Sequence, residues 1–330
     1  MKTRLYEVIS GNDIFKMDEE ECKPIVEGIL YEDDYMGLVA ESKMGKTILS
    51  QQLACAISVG KPFLGVFDVP KPLPVWYFAT EGKKAALKDR FIRMRKAVEV
   101  RPENLKLIPC NFRFNTPEGW GCVQELMKTY KDELPKVIII DALYRAIKGT
   151  LKNDDIIGEF HYNMDKIRSH CKCAIVLVHH MTKATRNKDG DYYSRSDIDT
   201  YGSAFILGGL DHILWLEKFR GEGSNPAVDK MLKCDNQRSG DIISNIRIQL
   251  QTGAALYYES IDRYHEQQHK VLQLLKTYKE MTWVKLESRS EISRTILYQV
   301  IKQLELKNQV QRSKGRPVII TLLDGVSDEI

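Results

Sequence analysis

"LVAESKMGKTILSQQLACA" (residues 38–56) is the stretch on which the fold turns. An apolar run breaks at a short polar turn, the turn ends in Gly-Lys-Thr, and an amphipathic helical pattern follows. A phosphate-binding loop is written G-x-x-x-x-G-K-[ST] and joins a strand to a helix. Here Ala40 stands at the first glycine position, so the loop runs Ala40, Glu41, Ser42, Lys43, Met44, Gly45, Lys46, Thr47. The physical case for phosphate binding does not need that first glycine. Gly45 lets backbone amides come close to phosphate oxygens, and a helix starting at Lys46 points its positive end at them. Lys46 is expected to reach the β- and γ-phosphates of ATP, and the Thr47 hydroxyl to ligate Mg²⁺. Alanine is the smallest side chain that can replace the glycine, so Ala40 is expected to alter affinity rather than abolish binding.

Working outward, runs of the same apolar, β-branched and aromatic kind recur. They are "YMGLVA" (35–40), "PVWYFAT" (74–80), "KVIIID" (136–141), "AIVLVHH" (174–180) and "DHILWLE" (211–217). Near-continuous apolarity is the mark of strands buried on both faces of a mostly parallel sheet. Helical patterns such as "KTILSQQLACAISV" and "GEFHYNMDKIRSHC" lie between them, so residues 1–264 are expected to form one α/β domain. Residues 181–201, "MTKATRNKDGDYYSRSDIDTY", break the pattern as a long polar loop with four basic and four acidic side chains. From residue 265 the style changes. "QQHKVLQLLKTY" reads as a helix, "SRSEIS" as the start of a second, and "RTILYQVIKQLELKN" as a third with Ile296, Leu297, Val300, Ile301 and Leu304 on one face. "QVQRSKGRPVIITL" reads as two short strands around a Lys-Gly-Arg turn. Three helices and a basic hairpin over 265–330 are the plan of a small winged helix-turn-helix domain; a plain three-helix cap would show the same helical periodicity.

Composition excludes several classes. With 43% apolar and 28% charged residues in 330, the chain is an ordinary globular protein. Its net charge is +4, of which residues 265–330 hold +3, from eleven Lys/Arg against eight Asp/Glu. That surplus is what a nucleic-acid contact would need, and what many solvated helices also show. The seven cysteines are scattered, with only Cys171 and Cys173 close, and read as reduced thiols of a cytoplasmic protein rather than a zinc site. No signal peptide is evident, and no apolar run approaches the ~20 residues that span a bilayer.

Other residues fit the phosphate loop. Asp141 ends "KVIIID", where a carboxylate at the strand's end can hold Mg²⁺ through water. Glu81 follows "VWYFAT" and is placed to orient and deprotonate an attacking water. His179 and His180 end another strand, where a polar side chain can sense the γ-phosphate or, alternatively, be a buried neutral pair. Together these segments resemble the RecA-like ATPases of the RepA type, the hexameric replicative helicases of plasmids and phages and their relatives. "KPIVEGILYEDDYMGLVAESKMGKTILSQQLACAISVGKPFLG" resembles the family's entry strand, loop and first helix, including Lys43 two residues before the loop glycine. "VWYFATEGKKAALKDRFIRM" is similar to the segment with the catalytic glutamate, which maps to Glu81, and "KVIIIDALYRAI" to the metal-binding strand. "VLVHHMTK" is similar to the His-His sensor, with His180 as a catalytic candidate, and "YGSAFILGGLDHILWLEK" to the helix and strand beyond the DNA-facing loop. By the same resemblance "KCDNQRSGD" places Arg238 where one subunit's arginine reaches its neighbour's ATP, while Asn236 stands where some relatives have lysine.

The resemblance implies a homo-oligomer, a hexamer in the helicases, with ATP shared between subunits. It leaves a motor that translocates along or unwinds DNA during replication or recombination of a mobile element, and an ATP-switched loader or recombinase-like filament former without unwinding. A transcriptional regulator with nucleotide as effector is the third class; Glu81 argues against it, because an effector site needs no water-activating carboxylate. In the 183–201 loop, Lys183, Arg186, Lys188 and Arg195 are the candidate phosphate contacts for single-stranded DNA, with Tyr192 and Tyr193 as stacking platforms. Asp189, Asp191, Asp197 and Asp199 offset that charge. Arg294, Tyr298 and Lys302 on the third C-terminal helix, with Arg312, Lys314 and Arg316 on the hairpin, are candidates for duplex DNA, the alternative being a replication protein docked on the same domain.

Overall fold

A computed structural model describes residues 10–11, 23–98, 102–180, 205–220, 224–235, 245–253, 255–260, 265–306, 309–313, 315 and 317–323. A two-stranded hairpin, β1 (Pro24–Val26) and β2 (Leu30–Tyr31), precedes the central sheet. The sheet strands are β3 (Tyr35–Ala40), β4 (Val75–Ala79), β5 (Leu105–Pro109), β6 (Val137–Asp141), β7 (Ala174–His180), β8 (His212–Lys218), β9 (Asp229–Asp235), β10 (Ile246–Gln251) and β11 (Tyr257–Ser260). The helices among them are α1 (Lys46–Val59), α2 (Lys84–Val98), α3 (Pro117–Thr129), α4 (Leu143–Ala146), α5 (Asp154–Cys171) and α6 (Phe205–Gly208).

The nine strands run in the order β11-β10-β9-β8-β3-β7-β6-β4-β5. From β8 to β5 every neighbouring pair is parallel, and β8 to β11 pair antiparallel. The five expected strands are all present, within about one residue of their expected ends. The antiparallel β9–β11 extension and β5 carry weaker apolar patterns than the parallel centre and were not expected. Period-two alternation divides each central strand between two cores. Leu38, Tyr77, Ile139 and Val176 face the layer containing α1, whereas Val39, Phe78, Ile138 and Leu177 face the layer containing α5. This two-sided burial explains why the strands read as unbroken apolar runs.

α1 departs from the expected amphipathic helix, since eleven of its fourteen residues are buried. It touches β3, β4, β5, β6 and β7 on one side and α2 and β11 on others, so little of its surface is left for water. Leu49, Leu53 and Ile57 are each at most 1% exposed, and full burial of such a side chain is worth roughly 1.5–3 kcal/mol. Gly60, at φ 68°, ends the helix in the left-handed conformation that glycine adopts without penalty. α5 starts on an Asn153 cap that accepts from Ile156 N–H at 3.1 Å, with Asp154 and Asp155 in its first turn where the helix dipole favours acids.

The C-terminal residues form α7 (His265–Tyr278), β12 (Glu280–Thr282), α8 (Trp283–Ser290), α9 (Arg294–Leu306), β13 (Val310–Arg312) and β14 (Ile319–Leu322). β12, β14 and β13 make a three-stranded antiparallel sheet. The second helix is corrected: "SRSEIS" straddles its end, and it begins earlier, on a Thr282 cap accepting from Lys285 N–H at 3.4 Å. Ser288–Glu291 has the spacing of a capping box, but Glu291 adopts φ 56° and closes the helix. The apolar face of α9 holds for Leu297, Val300, Ile301 and Leu304, all fully buried, and fails for Ile296, which is 38% exposed. These side chains belong to the same contiguous cluster as α1 and β3.

Candidate functional site

The parallel register brings four strand ends to one edge. Ala40 is level with His180, Val178 with Asp141, and Asp141 with Ala79, so the residues after each strand gather at the carboxyl edge of the sheet. β7 lies between β3 and β6, which puts His179 and His180 between the loop strand and the Asp141 strand. A crevice outside the carboxyl ends of parallel strands is where open α/β sheets bind ligands.

The loop is shaped by two backbone positions and one lysine. Gly45 sits at φ 94°, in the left-handed region, and Lys43 at φ 62°. Lys46 is 5% exposed, and its ammonium donates to the Ala40 and Glu41 carbonyls at 2.9 and 2.7 Å. Burial lowers its pKa to about 8, against the upward pull of Asp141, Glu81 and Glu41. With Ala40 fully buried at the strand's end, the first-glycine position tolerates a methyl group.

Asp141 is 3% exposed, and its Oδ2 accepts from the Tyr77 hydroxyl at 2.6 Å. Tyr77 and the Ser50 hydroxyl are 2.8 Å apart, and Ser50 donates to the Thr47 carbonyl at 3.1 Å. Burial raises the Asp141 carboxyl, while Tyr77 and the Thr47 hydroxyl favour its ionised form. Its Oδ1 is buried with no hydrogen-bond partner. An unpartnered carboxylate oxygen beside a threonine hydroxyl fits a divalent cation. Among the described residues no group of three or more His, Cys, Asp or Glu side chains could hold a metal. A Mg²⁺ ion at Thr47 and Asp141 would therefore take its other ligands from phosphate oxygens and water, as this ion commonly does.

Thr80 ties the ends of β4 and β6 together. Its N–H donates to the Asp141 carbonyl at 2.8 Å, and its hydroxyl bridges the Ala142 carbonyl and N–H at 2.9 and 2.8 Å. Glu81 follows, accepting from the Tyr144 hydroxyl at 2.6 Å with Arg145 Nε at 3.6 Å. Arg145 Nε in turn donates to the Tyr144 hydroxyl at 2.9 Å. His180 packs its ring 5.4 Å from that of Tyr144, and its buried Nδ1 has no hydrogen-bond partner. Burial and the nearby Lys46 lower its pKa, which favours the neutral ring.

The sequence-predicted set thus divides. Lys46, Thr47, Glu81, Asp141 and His180 come together at one edge. Tyr77, Ser50, Thr80, Tyr144 and Arg145, which join or support them, were missed; a tyrosine inside an otherwise apolar strand, whose hydroxyl needs a partner when buried, was the available signal at Tyr77. Arg238, Asn236, Lys183, Arg186, Lys188, Tyr192, Tyr193, Arg195, Lys314 and Arg316 lie outside the described residues. Of the C-terminal candidates, Arg294 and Tyr298 are exposed. Lys302 instead pairs with Asp68 at 2.9 Å, and Arg312 binds both Glu305 oxygens at 2.8 and 2.5 Å beneath the Tyr298 ring. Their charges are engaged within the chain.

No curated protein matches this chain. Among solved structures, one ATPase domain aligns with TM-score 0.51 at 12% identity, over 74% of this chain and 95% of that one. A KaiC-like protein, PH0186, from Pyrococcus horikoshii OT3 aligns with TM-score 0.46 at 10% identity, over 72% and 93%. The flagellar accessory protein FlaH from Methanocaldococcus jannaschii aligns with TM-score 0.43 at 17% identity, over 69% and 90%. At 12% identity the likeness to the ATPase domain is one of fold. Residues 9–186, more than half of the sequence and including the whole loop and both carboxylates, match the AAA domain family model. With that match on a mostly parallel α/β sheet carrying a phosphate loop, the chain belongs to the AAA domain family of nucleotide-binding P-loop ATPases.

Proposed function

We propose that this protein is a Mg-ATP-hydrolysing motor that moves along or unwinds DNA in replication or recombination of a mobile element. The observation that carries the reading is the convergence of Lys46, Thr47, Asp141, Glu81 and His180 at one sheet edge, with an Asp141 oxygen buried and unpartnered. Lys46 exchanges the Ala40 and Glu41 carbonyls for the β- and γ-phosphates. Thr47 would ligate Mg²⁺ and Asp141 would hold it through water, and the ion when bound would neutralise phosphate charge. Glu81 accepts a proton from the attacking water; the Tyr144 hydroxyl and Arg145 hold its carboxylate in place. His180, level with Ala40, senses the γ-phosphate, and residues 183–201 beyond it contact single-stranded DNA through Lys183, Arg186, Lys188 and Arg195.

Arg238 completes a neighbour's site in an oligomer, a ring of six on the family resemblance. Residues 265–330 act as a winged helix-turn-helix domain that meets duplex DNA through Arg294, Tyr298, Lys314 and Arg316; three helices with a three-stranded antiparallel sheet support that plan. An ATP-switched loader or filament former uses the same site without strand separation.

The test is nucleotide binding and turnover, with and without single-stranded DNA. Lys46→Ala should weaken ATP binding, whereas Glu81→Gln should keep binding and lose about 10²–10⁴-fold in turnover. Mixing Glu81→Gln with Arg238→Ala should restore part of the hydrolysis, since each supplies what the other lacks. Equal loss of binding in Lys46→Ala and Glu81→Gln would make Glu81 structural. Absence of rescue from a protein that stays monomeric with nucleotide would remove the shared site.

A further inference from the structure

The phosphate loop is held from behind by a side chain 214 positions from Met44. Tyr258 lies on β11, the edge strand of the nine-stranded sheet and the last described element before α7. It is 1% exposed, and its hydroxyl donates to the Met44 carbonyl at 3.1 Å. The same oxygen fills the space beside Gly45, where an added Cβ would meet it at 2.1 Å. The tyrosine backbone is itself clamped to α1. Its N–H donates to Gln52 Oε1 and its carbonyl accepts from Gln52 Nε2, both at 2.7 Å. Gln52 thereby stands in for a neighbouring strand, satisfying backbone groups that an edge strand would leave unpaired.

Lys46 also holds the loop, through the carbonyls of Ala40 and Glu41. On the ATPase reading above, on which this inference rests, that ammonium turns to phosphate when nucleotide enters and releases both carbonyls. The Tyr258 hydrogen bond involves no group that nucleotide needs. We propose that Tyr258 is a positioning residue for the nucleotide site, fixing the Met44–Gly45 peptide in its phosphate-binding shape from the far edge of the sheet. A loop already held in its bound shape loses less entropy on binding. The hold matters more in a loop whose Lys46 contacts must break as ligand arrives.

Tyr258→Phe removes the hydroxyl and keeps the ring. The experiment measures dissociation constants for ADP and ATP, steady-state kinetics, and melting temperature without nucleotide. One lost neutral hydrogen bond should raise Kd and KM by about five- to tenfold and leave kcat within about twofold. A merely structural role would lower the melting temperature and leave Kd where it was. The second arm compares Gly45→Ala alone and combined with Tyr258→Phe. Removing the hydroxyl relieves the 2.1 Å clash and leaves the ring carbon at 3.2 Å and the strain of φ 94°, so the combined loss of ADP affinity should be smaller than the product of the separate losses, though not abolished. An unchanged Kd in Tyr258→Phe, or independent effects in the pair, overturns the proposal. If Gly45→Ala fails to fold, the Tyr258→Phe titration alone decides. If the unaltered protein binds no nucleotide, the ATPase reading falls as well. If it binds and Tyr258→Phe binds equally, only this inference falls.

Discussion

The carboxyl edge of the central sheet and the C-terminal unit use polar residues in opposite ways. At the sheet edge the polar groups are buried and incompletely matched: Asp141 Oδ1 and His180 Nδ1 have no hydrogen-bond partner, and Lys46 is held by carbonyls at a depressed pKa of about 8. In the C-terminal unit the basic side chains of Lys302 and Arg312 are already answered by Asp68 and Glu305. Gln267 Oε1 and Trp283 Nε1 in the C-terminal unit are open singly, whereas the open atoms of Asp141 and His180 stand at one sheet edge with the buried Lys46 ammonium, an arrangement suited to a ligand. A surplus of basic side chains carries no such meaning, because the chain itself can neutralise them.

The contrast is tested hardest at Asp141. Burial raises its carboxyl pKa, so the ionised form works against folding at neutral pH, and that opposition fades as falling pH protonates the group. Asp141→Asn should therefore raise the melting temperature of the nucleotide-free protein while weakening Mg-dependent ATP binding by on the order of 10–100-fold. Calorimetric melting beside Mg²⁺ titrations of ATP binding reads both. A variant that loses stability would show Asp141 to be an ordinary structural group.

A smaller effect comes from Lys46. Its pKa of about 8 lies below the usual 10.5, so the free site loses its charge as pH rises through 8. ATP affinity should fall by about tenfold per pH unit from pH 8 toward 10, with proton uptake on binding, and Lys46→Met should flatten the profile. A flat profile in the unaltered protein would mean that Lys46 is charged throughout and already exposed to its ligand. The smallest effect divides the C-terminal residues. Neutralising Arg294, Lys314 or Arg316 should each lower the slope of log duplex affinity against log salt by about 0.9. Lys302→Ala and Arg312→Ala should leave that slope and instead cost folding about 1 kcal/mol or less each. A slope that falls with Lys302 or Arg312 would show that DNA competes for their partners.

How much was legible follows the range of each interaction. β3, β4, β6, β7 and β8 were visible because strands packed on both faces are apolar along their whole length. Lys46, Thr47, Asp141 and Glu81 were visible because each sits within a few residues of such a run. Tyr258 and Tyr77 were not, for they meet Met44 and Asp141 across 214 and 64 residues of sequence. In the C-terminal unit, local signals misled where two competed. The Ser288–Glu291 spacing imitates a helix start, yet Thr282 caps the helix and Ser290 is buried at its end. Ile296 follows the helical period of its neighbours but lies at the margin of the buried stripe.

The parallel pairing of β3 with both β7 and β8 has a consequence in contour length. The chain leaves β7 at His180, on the carboxyl edge, and must re-enter β8 at His212 from the amino edge, where His161 links the Phe205 carbonyl to Tyr35 at the start of β3. The height to be covered is about that of the six-residue β3, some ~20 Å at ~3.3 Å per residue. Residues 181–204 can reach ~80 Å at the same rise, roughly four times what the crossover requires. A connection of half that length would close the same sheet, so the stretch containing Lys183, Arg186, Lys188 and Arg195 is longer than its topology demands.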